Sequence, residues 1–451
     1  MRVRLTHKWS LIATTAVFLV CLAAMSVHGQ TTLTIDEVRS RALQFNRQYL
    51  SAQQDINLSQ AEIVKARSGA LPSLHLNGYY NRNFKIPSFF VQAGDETIEF
   101  KTGFKNSFGA TVSLEQPIWQ GGRVINAYLI ARMYKRYSEA AANQVKANVI
   151  YNAESLFYVT VLRRAQLAVL RQAYEANKAN YDVVQKLYSR GMVSEYELLR
   201  AEVERDNLLP QIIRAESEVN LADKQLKSFL GIDLTEGIAV VEGEADTAIS
   251  GLPALAELTR MALKERPEML QAEELVQIAD KAIGVARGGY WPDFSAIAQY
   301  DWQSQSDSWT LSENKSESWT AGLRVSFPLF EGWRTHGEVN ERKAQYEQAK
   351  LARQQTLDDI RLEVEAAYDR LMQAKKSLDI QKTTIAQAEE GLKIANLRYN
   401  SGVGTQLEVL SAQTALTDAR RARAEALFLF RQARAGLKKA TTVDILADSG
   451  L

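Results

Sequence analysis

Cysteine is almost missing from this chain. Of 451 residues only Cys21 carries a thiol, and there are only 4 histidines. Cys21 lies in an apolar run, LIATTAVFLVCLAAM, which follows a basic start, MRVRLTHK, and precedes SVHG. That order is the pattern of a secretory signal peptide, and the run is short for a membrane span. Residues 1–29 are therefore expected to be removed, with cleavage after Gly29. Loss of the three cations Arg2, Arg4 and Lys8 then turns a formal charge of +1 into −2. Val20 does not suit a lipid-attachment signal at Cys21. Without Cys21 the mature chain has no thiol, which excludes disulfides and thiolate metal sites. His75 and His336 are the histidines that remain, too distant in sequence to form a compact motif.

Charge of one sign is also lacking. Lys+Arg number 54 against 53 Asp+Glu, so the chain has no bulk positive charge for a nucleic acid. No Ser/His/Asp set, zinc signature or phosphate loop is present. Gly402-Val-Gly404 resembles part of a nucleotide loop, but no strand precedes it and the third glycine is missing. No enzyme activity and no cofactor are expected. Proline is absent between Pro117 and Pro210 and again after Pro328. Glycine is absent from Arg123 to Arg190 and from Glu338 to Glu390. Such stretches suit long unbroken helices.

What is present occurs twice. LYSRGMVSEYELLRAE, from Leu187, matches RYNSGVGTQLEVLSAQ, from Arg398, with Tyr188/Tyr399, Gly191/Gly402 and Glu197/Glu408 each 211 positions apart. ARSGALPSLHLNGYYN, around Pro72, matches ARGGYWPDFSAIAQYD, around Pro292, at an offset of 220. SLEQPIWQGGR, with Pro117, matches SFPLFEGWR, with Pro328, at 211 again. The mature chain is thus expected to be two copies of one unit, residues 30–231 and 254–451, joined by a connector, 232–253.

Two periodicities alternate within each copy. Leu371, Leu378, Ile385, Leu392 and Tyr399 recur every seven residues, and Leu167, Tyr174, Tyr181 and Tyr188 do the same in the first copy. A sustained seven-residue repeat predicts helices supercoiled on their neighbours. Helices are expected over 35–69, 122–188 and 194–230, and over 255–288, 333–399 and 405–440. Near the prolines the period falls to two. Leu74, Leu76 and Tyr80 alternate with His75, Asn77 and Asn81, and Phe108, Ala110, Val112 and Leu114 alternate with Gly109, Thr111, Ser113 and Glu115. Phe294, Ala296, Ala298, Tyr300 and Trp302 oppose Ser295, Gln299 and Asp301, and Trp319, Leu323, Val325 and Phe327 oppose Thr320, Arg324 and Ser326. Strands are expected over 74–84, 107–117, 293–303 and 319–329, as two pairs joined by polar loops at 85–105 and 303–317. Alternation over about ten residues, with aromatics near the ends, fits membrane strands with one lipid face and one aqueous face.

Four strands cannot close a barrel, and open edges are not tolerated in lipid. Two chains would supply eight strands, about the size that side chains fill; three would supply twelve and leave a lumen. A trimeric pore is favoured. The fold class is mainly α with a β-barrel part. A periplasmic adaptor with a coiled-coil hairpin, or a structural rod, would explain the helices but not the strands.

The signal peptide, the duplicated helix-strand-strand-helix-helix units and the Tyr-x-x-Gly turns resemble the TolC family of outer membrane efflux proteins, over essentially the whole mature chain. The resemblance implies a homotrimer with a shared twelve-stranded transmembrane β-barrel in the outer membrane and a trimeric helical barrel crossing the periplasm. It implies a channel-tunnel serving as exit duct of a tripartite efflux or type I secretion system. Partners would be a periplasmic adaptor and an inner-membrane pump of the RND, ABC or MFS type, with no nucleic acid involved. Tyr188, Gly191, Gly402 and Gly404 would form tip turns touching the adaptor, with Gly191 and Gly402 supplying positive φ. Glu197 would pair with Tyr399 in closing the tips. Gly404 stands where the family pattern has arginine, so one bond of the closing network is missing or is supplied elsewhere, by Arg190 or Arg398. Glu408 matches the first of two acidic positions ringing the entrance, and Ser411 stands at the second. Pro72, Pro117, Pro292 and Pro328 would mark the junctions between barrel and helices.

Overall fold

The computed structural model describes residues 31–241 and 252–442. The expected leader with Cys21, and part of the connector, lie outside the described residues. In chain order the elements are β1 (Thr31–Leu33), α1 (Ile35–Phe45), α2 (Arg47–Ser68), β2 (Ser73–Arg82), β3 (Ser88–Ala93), β4 (Glu96–Lys101) and β5 (Asn106–Gln120). α3 (Arg123–Ser189), α4 (Glu195–Asp206), α5 (Leu208–Phe229), β6 (Ile238–Val240), α6 (Leu255–Glu265) and α7 (Pro267–Arg287) follow. β7 (Asp293–Ser306), β8 (Lys315–Ser326), α8 (Arg334–Asn400) and α9 (Gln406–Thr441) complete the chain. No helix among the described residues is long and apolar enough to cross a membrane.

Three helices expected as continuous are broken, each for a local reason. The expected 35–69 divides at Asn46, whose carboxamide oxygen accepts from the Gln48 and Tyr49 amides and starts α2 afresh. The expected 255–288 divides at Arg266, held extended at φ −67 and ψ 131. The residue before a proline avoids the helical region, and Pro267 follows. The expected 194–230 divides at Asn207, where Pro210 has no amide proton to return to the Asp206 carbonyl. By contrast α3 and α8 each run 67 residues without interruption, on the order of 100 Å.

The chain forms two compact units. Among the described residues the first draws on 31–51, 144–241, 252–266 and 360–442. Its core joins Leu33, Val38 and Ala42 to Val149, Ala153 and Phe157 of α3 and to Leu226, Leu230 and Ile238. The connector thus begins with a strand: β6 pairs parallel with β1, and Leu33 and Ile238 are buried. Leu167 and Leu170 of α3 pack on Ala215 of α5. Val364, Leu371 and Leu378 of α8 are buried at intervals of seven. The Arg205 guanidinium lies 4.2 Å from the centre of the Tyr181 ring, so that tyrosine packs between α3 and α4.

The second unit draws on Ala52–Asn143 and Pro267–Asp359. Here the two expected strand pairs merge into one antiparallel sheet, ordered β2-β5-β7-β8. Its register aligns Leu76, Val112, Tyr300 and Trp319 across all four strands, and Leu74, Leu114, Ala298 and Ala321 beside them. On the reverse face Asn77, Thr111, Asp301 and Ser318 align. Thr111 donates to the Asp301 carboxylate at 2.7 Å, and Arg324 reaches Glu115 at 3.6 Å. The bounds differ from expectation: β8 begins earlier and ends at Ser326, and β5 runs on through Pro117 to Gln120. A bulge between Pro117 and Trp119 explains the extension, since it leaves Ile118 unpaired beside the proline, which has no amide to donate, and sets Trp119 opposite Phe294 on the apolar face. The expected polar loop 85–105 holds a hairpin, β3 with β4, turning at Gly94 with φ +69 and stacking Phe89 on Phe100.

Candidate functional site: two helix tips and a two-faced sheet

The tips are built from backbone rules. α3 ends in a Schellman motif, in which the Gly191 amide donates to the Tyr188 carbonyl at 2.8 Å and the Met192 amide to Leu187 at 3.0 Å. α8 ends identically, with Gly402 donating to Tyr399 at 3.0 Å and Val403 to Arg398 at 3.1 Å. Both motifs need a left-handed residue, and φ is +73 at Gly191 and +76 at Gly402. Two residues after each Schellman closure a hydroxyl caps the next helix. Ser194 Oγ accepts from the Glu197 amide and Thr405 Oγ1 from the Glu408 amide, each at 3.3 Å. The acidic residue six positions after each glycine is therefore the third residue of a helix, where negative charge meets the positive end of the dipole. Ser194 and Thr405 were missed in reading the sequence, although S-x-x-E and T-x-x-E announce them.

The two tips are not equivalent. Arg398 Nε reaches Glu408 Oε2 at 3.2 Å, bridging the end of α8 and the start of α9. Leu187 stands at the matching place in the first tip, so Glu197 has no such cation and forms no ion pair among the described residues. Instead Glu197 lies within electrostatic reach of Tyr399, whose phenol is raised above its ordinary value by burial first and by that carboxylate second. No hydrogen bond joins the two among the described residues. Of the two candidates for the missing bond, Arg398 has a carboxylate partner and Arg190 has none. Ser411 is exposed, one turn beyond the half-buried Glu408.

Gly404 is constrained differently from its neighbours. A β-carbon there would meet Arg398 Cβ and the Tyr399 nitrogen at 2.9 Å, whereas one at Gly191 or Gly402 would meet nothing within 4 Å. An arginine at 404 would therefore displace the end of α8. Gly402→Ala is expected to cost about 1 kcal/mol through φ alone, and Gly404→Ala more, despite its ordinary φ. Hydrogen exchange of the amides of residues 399–405 checks the order; equal protection in the two variants would refute it.

Pro72 and Pro292 immediately precede β2 and β7, Pro328 follows β8, and Pro117 sits at the bulge inside β5. The turns beside them use a second device that reading the sequence overlooked. Gly121 and Gly122 have φ +59 and +79, and Gly332 and Trp333, 211 positions on, have φ +61 and +66. A β-carbon at Gly121 would meet the Gly288 carbonyl oxygen at 2.4 Å. Arg123 Nη2 next donates to both carboxylate oxygens of Asp293, tying α3 to β7.

The sheet has a large apolar face open to its surroundings. Leu76 is 73% exposed, Trp319 80% and Leu323 76%, far beyond what a soluble sheet leaves uncovered. Aromatic clusters bound that face. Tyr80, Phe108 and Trp309 meet at 4.7 to 5.5 Å. Trp119 meets Trp291 and Phe294 at 5.9 Å. Among the described residues no group of three His, Cys, Asp or Glu side chains is placed to hold a metal ion.

A duplicated chain that joins coiled-coil tips to a sheet with one lipid-suited face belongs to the class of membrane-inserted β-sheet proteins with an α-helical body. Residues 38–232 and 258–442 match the family described as outer membrane efflux protein. The chain belongs to that family. It is 26% identical to the outer membrane protein OprJ of Pseudomonas aeruginosa over 388 residues, covering 82% of this chain and 76% of OprJ. It is 22% identical to the cation efflux system protein CusC of Escherichia coli O157:H7 over 382 residues, covering 84% and 79%. A crystal structure of CusC superposes with a TM-score of 0.77 at 20% identity, covering 90% of this chain and 91% of that one.

Proposed function

We propose that three copies close one twelve-stranded barrel in the outer membrane, and that their helices form a tunnel into the periplasm. The observation that carries this reading is the sheet: one continuous apolar face, one polar face, and two edges, β2 and β8, with no partner strand among the described residues. Phe108 and Trp119 in the two aromatic clusters lie eleven residues apart on β5. At a strand rise of about 3.3 Å and a barrel tilt near 40°, that spacing spans roughly 28 Å, close to the apolar band of an outer-membrane barrel. The chain thus acts as exit duct of a tripartite efflux or type I secretion system, without catalysis of its own. Residues 30–231 and 254–451 are its two repeats.

The tips supply a gate and a docking surface. Met192 and Tyr196 on the first, and Val403 and Leu407 on the second, are exposed at positions 211 apart. An adaptor protein would cover these residues, handing cargo from an inner-membrane pump of the RND, ABC or MFS class. Closure rests on Glu197 with Tyr399, and Arg398 stands in for the arginine that Gly404 excludes. In planar bilayers the wild type should conduct in small steps, and Glu197→Ala with Tyr399→Phe should raise single-channel conductance severalfold. Unchanged steps would remove these residues from the gate, and no conductance from wild type would overturn the duct itself.

A further inference from the structure

The join between sheet and helices carries a cavity of about 660 Å³ in the second copy, lined by Arg287, Tyr290, Trp291, Phe327, His336 and Lys343 among others. Its position relative to lipid follows from strand parity. Phe327 continues the series Leu323, Val325 on the apolar face, and Trp291 belongs to the aromatic cluster that bounds that face at its helix end. Aromatic side chains in such a belt sit at headgroup depth. The cavity therefore opens where hydrocarbon gives way to water.

Its charge is unbalanced. Neither Arg287 nor Lys343 has a carboxylate partner among the described residues, although many cations nearby do: Arg334 binds Glu331 and Glu338, and Lys350 binds Glu347. His336 adds an imidazole edge, hydrogen-bonded to Asn340 at 2.9 Å. Two cations around an apolar floor match a phosphodiester with acyl chains beside it.

A second tryptophan stands beside the cavity. Trp333, edge-on to His336 at 6.0 Å, has φ +66 and is 75% exposed, where the first copy has Gly122. The first copy carries a matching cavity of about 730 Å³, but Arg67 is its one cationic lining residue.

We propose that the second-copy cavity binds the phosphate headgroup of an anionic phospholipid, with Arg287 and Lys343 as ligands and Trp291 and Trp333 seating the glycerol and upper acyl region. The site rests on the reading that the apolar sheet face meets lipid. It goes beyond that reading by making one copy, and not the other, selective for headgroup charge.

The test is native mass spectrometry of the detergent-purified protein titrated with phosphatidylglycerol or phosphatidylcholine. Wild type should retain phosphatidylglycerol preferentially. Arg287→Gln with Lys343→Gln should weaken retention roughly twentyfold, and Arg67→Gln should leave it nearly unchanged. Equal retention by wild type and the double variant would overturn the site, as would equal loss in Arg67→Gln. Displacement of the lipid by inorganic phosphate would also overturn it, since the site would then serve a soluble anion. Co-sedimentation with vesicles separates the two readings. Loss of insertion by wild type would defeat the lipid-facing sheet and this site together. Intact insertion with no preference for phosphatidylglycerol would defeat this site alone.

Discussion

Oxidation of a variant carrying Tyr80→Cys and Leu323→Cys should convert the protein into a covalent trimer. The expected pairing comes from the duplication. Shifting β5 forward by 211 gives β8, and shifting β7 back by 220 gives β2, so the observed pair Val112 and Tyr300 maps to Leu323 of one copy opposite Tyr80 of the next. Both residues fall on the apolar face, so the parity of the seam agrees with that of the sheet. Opposed residues in an antiparallel pair are about 5 Å apart, within disulfide reach. Within one chain β2 and β8 are separated by two strands, roughly 14 Å, so a bond must join different copies. With the leader removed no native thiol competes. Leu76→Cys with Leu323→Cys, displaced by four residues or about 13 Å, should give little product. A denaturing gel that shows only monomer for Tyr80→Cys with Leu323→Cys would reject the seam.

Removing the cation that faces Glu408 should make the entrance markedly more cation-selective. The family resemblance makes Glu408 a ring carboxylate, which implies modest cation preference. The structure places Arg398 on it at 3.2 Å, both side chains being about half exposed, so much of its charge is compensated before any ion arrives. In a trimer Arg398→Gln would uncover three carboxylates around one axis. Trivalent-cation block should then tighten on the order of tenfold, and reversal potentials should shift toward the cation value. Glu408→Gln should do the opposite and leave Arg398 to favour anions. Identical selectivity in the two variants would mean that the entrance is governed elsewhere, and repetition at high salt should shrink both effects.

The helices and the two-faced strands were legible because each repeats one period over many turns or residues. The seven-residue spacing of Leu371 and Leu378 and the alternation of Leu74 with His75 survive any uncertainty at the ends. The breaks were harder. Pro267 and Pro210 were visible, but Asn46 starts a new helix through its own side chain, which a hydrophobic pattern does not register. The hairpin of β3 and β4 escaped because Glu96, Glu99 and Lys101 make its alternation look like a polar loop. At the tips the positive φ of Gly191 and Gly402 could be anticipated from Tyr-x-x-Gly. The role of Gly404 could not, since it depends on the backbone of Arg398 and Tyr399 folding back against it. The same holds for Arg398 with Glu408: two residues ten apart in sequence meet only because the turn reverses the chain.

The matched offsets bear on how the ring counts its members. One repeat alone would present a β2-like edge and a β8-like edge, and copies could add until the curvature closed, with five, six or seven in the circle. Joining repeats covalently in pairs removes every odd number, because no half-chain is left to fill a last gap. Five and seven are forbidden, and four and eight lie a whole chain away from six. Seen this way, the stretch between Ile232 and Leu255 is a parity constraint. In the proposed barrel it limits the ring to even counts of repeats, whatever the assembly conditions.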